Sequence, residues 1–255
     1  MGVSRFTLVP HERRRAFHVL RSAALGWPAR LDEICRTHGL GDDQRARLAR
    51  LLELVRDDET APTAVRDPER AVDVHVADSL AALGLDVVRT ARTLADVGSG
   101  AGFPGLPLAV ALPEARVTLI ESAGRKCAFL ERGVAAAGAT NAAVACARVE
   151  EWPGRELDVV CARALAPLAV LVEYAAPLLR LGGRLVAWKG RPDRAEGRAG
   201  AAAAAQIGLR AEPVVALEPL PGAQHRTLYL YFKASETPPQ FPRRAGMARK
   251  RPLSG

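Results

Sequence analysis

The chain has 255 residues, 49% hydrophobic and 25% charged, which suits one α/β domain with a sizeable core and a small appendage but leaves little room for a second full domain. Its formal net charge of +8 suits a polyanionic partner, through phosphate neutralisation and counterion release. No apolar run approaches the ~20 residues needed to cross a bilayer, and no uninterrupted apolar stretch follows Arg13, Arg14 and Arg15, so neither a membrane span nor a secretory signal is expected.

Residues 1–30 carry no firm pattern and read as a basic N-terminal extension. A helix is predicted from Asp42, because Leu48, Leu51, Leu52 and Val55 fall on one face at helical spacing. A second follows the loop at Pro62: Asp67 can cap it, Pro68 occupies the first turn where no N–H is needed, and Glu69 favours the dipole. Val72, Val76, Leu80 and Leu83 would line its buried side, and it carries His75, Asp78 and Ser79.

From Thr93 the rhythm becomes alternating. Strands are predicted at Thr93–Val97, Arg116–Glu121, Ala143–Ala147, Leu157–Ala162 and Gly183–Lys189, with helices at Pro104–Ala111, Arg125–Ala137, Pro167–Arg180 and Asp193–Gln206. Two more strands, near Val214–Glu218 and Thr227–Lys233, complete an α/β pattern of a mostly parallel sheet with helices on both faces. From Phe241 to Gly255 the chain has Arg243, Arg244, Arg249, Lys250 and Arg251 and no acid, a cationic tail.

Cys35, Cys127, Cys146 and Cys161 are scattered without a CxxC pair, and the histidines are dispersed. That argues against a metal site and against a disulfide framework; Cys146 and Cys161, in apolar runs, are expected to pack in the core. A cytoplasmic location follows from this cysteine usage.

The chemistry concentrates after the first strand, in DVGSGAGFPG, residues Asp96 to Gly105. Ligands of open α/β sheets bind outside the carboxyl ends of strands where strand order reverses. Gly98, Gly100, Gly102 and Gly105 permit positive φ and close approach of a ligand to the backbone. Gly100, Gly102 and Gly105 also spell the GxGxxG of NAD-binding folds. Pro104, however, lacks an N–H where a pyrophosphate wants donors, and Asp96 suits the ammonium of a methionine moiety better than a dianion. Both features favour S-adenosylmethionine over NAD. Glu121, ending the second strand, can accept from ribose hydroxyls. Val149 and Glu150, after the third, are placed for the adenine, and Arg163 ends the fourth strand at the mouth of the same crevice.

HVADSL, DVGSGAGFPGLPLAV, ARVEEW, CARALAPL, AWKG and FPRRAGMARKRPL, in this order, resemble the bacterial small-subunit ribosomal RNA guanine-N7 methyltransferases, also called the glucose-inhibited division protein B family. The resemblance runs from about Leu40 to Leu253. It implies a Rossmann-like class I methyltransferase fold with a seven-stranded, mostly parallel sheet and a short helical N-terminal cap. The corresponding division is extension 1–30, cap 31–92, methyltransferase domain 93–235 and basic tail 236–255. It further implies methyl transfer from S-adenosylmethionine to N7 of one guanosine of 16S ribosomal RNA, on the RNA or the small ribosomal subunit. A monomer is expected from the sequence.

Carried over by motif, Gly98, Phe103, Val149, Glu150 and Arg163 would bind cofactor, beside Asp96, Gly100 and Glu121 read from the turn and strand ends. His75, Asp78, Arg163 and Lys189 would surround the entering guanine, with Arg163, His75 and Lys189 as the catalytic candidates. Arg243, Arg244 and Lys250 would meet RNA phosphates. One departure stands out: Ala61, Pro62 and Thr63 occupy a place where the family often has asparagine-leucine-threonine. N7 of guanine carries an in-plane lone pair and no proton, so positioning rather than a general base is expected to do the catalysis. A methyltransferase with a protein or small-molecule substrate, and an NAD-dependent oxidoreductase, stay open as alternatives on the residues alone.

Overall fold

The computed structural model describes residues 26–217 and 225–253. Most of the expected basic extension therefore lies outside the described residues. From Trp27 its last part is helical.

Helix α1, Trp27–His38, has a proline in its first turn and stops at Gly39, whose φ of 68° suits glycine. The α2 helix, Asp42–Asp57, buries Leu48, Leu51, Leu52 and Val55, as the spacing predicts. Asp67 caps α3, Pro68–Ala71, by accepting from the Glu69 N–H. The helix then widens into a π-helical turn over Val72–Ala77 and tightens again through α4, Asp78–Leu80, and a 3-10 turn, Ala81–Gly84. His75 sits inside that wider turn, a distortion often found where a helix presents groups to a site. A short α5, Asp86–Arg89, leads into the sheet.

The strands are β1 (Thr93–Val97), β2 (Arg116–Glu121), β3 (Ala142–Cys146), β4 (Leu157–Arg163), β5 (Leu179–Lys189), β6 (Leu209–Ala211), β7 (Val215–Leu217) and β8 (Arg226–Lys233). Between them lie α6 (Gly105–Ala111), α7 (Gly124–Ala136), α8 (Leu168–Ala175) and α9 (Arg194–Gln206). The sheet order is β3-β2-β1-β4-β5-β8-β6, with β7 also on β8. Strands β1 to β5 are parallel, whereas β8 runs antiparallel to β5, β6 and β7. The order reverses between β1 and β4, which places a ligand crevice at the carboxyl ends of these strands.

Alternation along the strands sorts side chains to two cores. Leu94, Leu119, Val159, Val186 and Trp188 join the helices of the N-terminal half on one face. Ala95, Val97, Val160, Leu185 and Ala187 pack against α8 and α9 on the other. The Rossmann-like fold is as expected, with one more strand than the seven anticipated, the three-residue β6. The α8 helix ends at Ala175 rather than Arg180, because β5 begins at Leu179. No helix among the described residues is long and apolar enough to cross a membrane.

The cysteines depart from the expectation. Cys161 is buried, as expected, but Cys146 is exposed and forms a disulfide with Cys127, their Cα atoms 5.7 Å apart. β3 is the sheet edge, so an apolar run there is not a core strand. Because β2 and β3 end level with each other, the first turn of α7 after β2 lies beside the end of β3. The bonded partners are separated by 19 residues, a proximity created by the parallel crossover and invisible to a search for CxxC.

Candidate active site

A cleft of about 830 Å³ opens at the carboxyl ends of the parallel strands. Its floor is the turn after β1. Gly98, Gly100 and Gly102 there have φ of 68°, 57° and 89°, and the Gly98 N–H donates to the Ile120 carbonyl at 2.8 Å. A Cβ on Gly98 would come within 2.4 Å of the Leu165 side chain. The absence of a side chain is therefore required twice, by backbone conformation and by space.

Asp96 departs from its expected place. It is buried behind the turn and does not line the cleft. Its Oδ2 accepts from the Gly105 N–H at 3.0 Å, while Oδ1 has no partner. Asp96 thus braces the turn against the start of α6, and a direct contact with a cofactor ammonium is not what this geometry provides. Burial pushes its carboxyl up to about 7, partly offset by the Gly105 hydrogen bond and by Arg163.

Glu121 does reach the cleft. Its Oε1 accepts from the Ser122 and Ala123 N–H groups at 2.9 and 3.0 Å, and its Oε2 accepts from Gly100 at 3.2 Å. Val149 and Glu150 lie on the far wall after β3. The opposite end of the cleft is built around Asp78, whose side chain is fully buried on α4. Arg163, from the end of β4, donates to Asp78 Oδ2 and to the Val74 carbonyl, both at 2.9 Å. Arg226, the first residue of β8, donates to Asp78 Oδ1 at 3.0 Å. The Trp188 indole N–H donates to the Asp78 carbonyl at 3.0 Å.

His75 stacks on Phe103 with ring centroids 4.4 Å apart and 11° between planes, and the Arg163 guanidinium lies over the same Phe103 ring. His75 Nδ1 faces Arg163 at 3.3 Å; a guanidinium can only donate, so Nδ1 accepts. The ring proton then sits on Nε2, which faces the Val65 carbonyl at 3.0 Å and the Thr63 hydroxyl at 3.1 Å. Burial, followed by the charge of Arg163, lowers the His75 pKa to about 4, so the imidazole is neutral near pH 7 with both nitrogens engaged. Thr63 thus keeps a contact in the cleft despite the altered loop before it.

Lys189 is on the rim, donating to the Ala166 carbonyl at 2.9 Å and paired with Glu196. The tail residues separate. Arg244 and Lys250 are exposed beside Glu151 and have no ion-pair partner among the described residues. Arg243 instead makes a bidentate pair, 2.8 and 2.6 Å, with the buried carboxylate of Glu173, so its charge is neutralised internally rather than held out for phosphate. Among the described residues no group of three or more His, Cys, Asp or Glu could hold a metal ion.

Two contributors escaped the sequence. Arg226 opens a strand that pairs antiparallel with β5, and only that pairing brings its start to the cleft. Leu165, between the predicted strand Leu157–Ala162 and helix Pro167–Arg180, proves to be the surface against which Gly98 packs.

Residues 46–223 match the family model described as rRNA small subunit methyltransferase G. The chain belongs to that family. It is 41% identical over 254 residues to the ribosomal RNA small subunit methyltransferase G of Rubrobacter xylanophilus, covering 95% of each chain. The protein of that name from Chloroflexus aggregans is 42% identical over 226 residues, covering 84% of this chain and 92% of the relative. Among solved structures, cofactor-bound Rv0187 from MTB superposes with a TM-score of 0.53 at 18% identity, covering 74% of this chain and 90% of that one. A candidate O-methyltransferase from Klebsiella pneumoniae gives 0.55 at 14%, covering 82% and 98%. At such identities these two show the fold alone. Family membership makes this an S-adenosylmethionine-dependent methyltransferase.

Proposed function

We propose that the chain transfers a methyl group from S-adenosylmethionine to N7 of one guanosine in 16S ribosomal RNA. The observation that carries the reading is the saturation of the substrate end. His75 is neutral with both nitrogens engaged, and the Asp78 carboxylate is held between Arg163 and Arg226. Such a pocket offers little to a substrate that must lose a proton, and suits a nucleophile that already carries a free lone pair.

The residues present fit the cofactor. Gly98 would leave the turn backbone open to the methionine end, Glu121 would offer an anchored acceptor to ribose hydroxyls, and Val149 and Glu150 would hold the adenine. The unpartnered Asp96 Oδ1 lies beneath the turn, and a methionine ammonium bound above it would favour the ionised form of a carboxyl that burial holds at about 7. When bound, S-adenosylmethionine supplies an electrophilic methyl on a sulfonium. The chain's share is alignment: His75, Phe103, Arg163 and Arg226 line the end of the cleft where a guanine would be held. Lys189 holds the rim, and Arg244 and Lys250 extend a basic surface toward the RNA backbone.

Nucleoside digestion of RNA from a reaction on small subunits tests the position. The expected product is 7-methylguanosine at a single site. A methylated exocyclic amine, ring carbon or ribose would overturn the N7 assignment. Label entering protein instead of RNA would favour the protein-methyltransferase reading.

A further inference from the structure

The C-terminal segment, residues 241–253, packs on α8 and reaches the cleft through Arg249. Phe241 and Leu253 pack on the core beneath α8 and α9, so both ends of the segment are seated. Between them the short helix α10, Met247–Lys250, buries Ala248 against Val170 and Tyr174 of α8. Val149, Leu165 and Ala166 pack on the same cluster, so the wall of the cleft and the tail share one small core.

Three polar contacts tie this segment to cleft residues and to α8. The Gly246 N–H donates to Glu150 Oε1 at 2.8 Å. The Arg249 guanidinium lines the cleft and donates to the Leu165 carbonyl at 3.1 Å, and Leu165 is the residue that closes on Gly98. Arg243 is the clasp: it grips the buried Glu173 of α8 with two hydrogen bonds and donates a third, at 2.8 Å, to the Arg251 carbonyl across the turn of the segment.

We infer that the C-terminal segment is a strap that shapes the cofactor site, with Arg243 as its clasp and Arg249 and Gly246 as the positioning groups acting on Leu165 and Glu150. This rests on the reading of the cleft as the S-adenosylmethionine site. It assigns the tail two separate jobs. Arg243, on Glu173, and Arg249, exposed at the cleft lining, set the donor's binding surface, while Arg244 and Lys250 are exposed outside the cleft and available to phosphate.

Removing the clasp should loosen the cleft wall at Val149, Glu150 and Leu165, which would hold the adenine, while leaving the other end, built on Asp78, Arg163 and His75, in place. The signature is therefore a split between the two substrates' constants and the turnover number. A purely structural role would lower stability without choosing between them.

The test is steady-state kinetics and calorimetry on the full chain, with S-adenosylmethionine and small subunits as substrates. Wild-type binding of S-adenosylmethionine is measured first, and its absence would sink the cofactor reading itself rather than the strap. Given that binding, Arg243→Ala should raise Kd and KM for S-adenosylmethionine about tenfold with kcat nearly kept, and Arg243→Lys should restore part of the loss. Should Arg243→Ala fail to fold, Arg249→Ala, at an exposed side chain, is expected to raise the same two constants several-fold. The outward pair gives the reciprocal result: Arg244→Ala/Lys250→Ala should leave Kd for S-adenosylmethionine unchanged and weaken RNA binding. A folded Arg243→Ala or Arg249→Ala chain with wild-type affinity for S-adenosylmethionine would overturn the strap, whether RNA binding changed or only the melting temperature did.

Discussion

Gly98 shows how much one missing methyl group can matter. A side chain there would meet Leu165 at 2.4 Å on a backbone whose φ of 68° already disfavours it. Gly98→Val should therefore weaken S-adenosylmethionine binding by two orders of magnitude or more in calorimetry, and retained affinity would remove the turn from the site. Asp78 is decisive for the opposite reason, since it is a buried carboxylate neutralised by two arginines. Asp78→Ala strands Arg163 and Arg226, and breaking a buried pair in this way costs about 3–5 kcal/mol. A urea midpoint that does not fall would contradict that role. Asp96 and His75 make opposite contributions to pH dependence. The Asp96 carboxyl is held at about 7 against an ordinary 3.8, so between those values the folded chain binds more protons than the unfolded one and stability falls as pH rises. His75 is held at about 4 against 6.5, so the folded chain binds fewer protons there and stability falls as pH falls. With the opposing Asp96 contribution removed, Asp96→Asn should lose stability more steeply on acidification from pH 6.5 to 4 than wild type does, followed as melting temperature. An unchanged slope would contradict the burial assigned to Asp96.

At the scale of elements, legibility followed how far each signal lies from its cause along the chain. The α2 helix was readable because four apolar side chains repeat on one face, and all four are fully buried. Leu51→Ala should accordingly cost about 2–5 kcal/mol in urea unfolding; a loss well below ~1 kcal/mol would mean the site repacks or is not core. The parallel strands were readable from apolar runs between helical stretches, with boundaries displaced by one residue in β3 and β4 and by four at the start of β5, whose Arg180, Leu181 and Gly182 break the apolar run. The α1 helix was missed although Leu31, Ile34 and Cys35 carry its buried face, because arginines and acids dilute the pattern. The three-residue β6 has too few positions to show alternation. In the site, the turn and the strand-end residues Glu121 and Arg163 were legible because α/β topology sends strand ends to the crevice. Arg226, Leu165 and the Cys127–Cys146 bond were not, since each depends on which strands become neighbours. The tail illustrates the same limit from the other side. Its charge was evident, but that Arg243 faces a buried Glu173 is a tertiary fact.

For the whole molecule, the cleft at the carboxyl ends of the parallel strands borders the basic tail, whose Arg249 lines it. Arg244 and Lys250 are exposed beside Glu151, without ion-pair partners among the described residues. Removing one cation that neutralises an RNA phosphate should flatten the slope of log affinity against log salt by about 0.7–0.9. The Arg244→Ala/Lys250→Ala variant should therefore flatten it by one to two such steps, and an unchanged slope would place the RNA elsewhere. The destination of the methyl group decides most directly what this cleft does. Labelled S-adenosylmethionine should be given in parallel to small ribosomal subunits, naked 16S ribosomal RNA and total protein, with Gly98→Val as the control. The predicted result is label in ribosomal RNA alone, at N7 of one guanosine, and none with the variant. Label in protein, at another atom, or undiminished in the variant would contradict it.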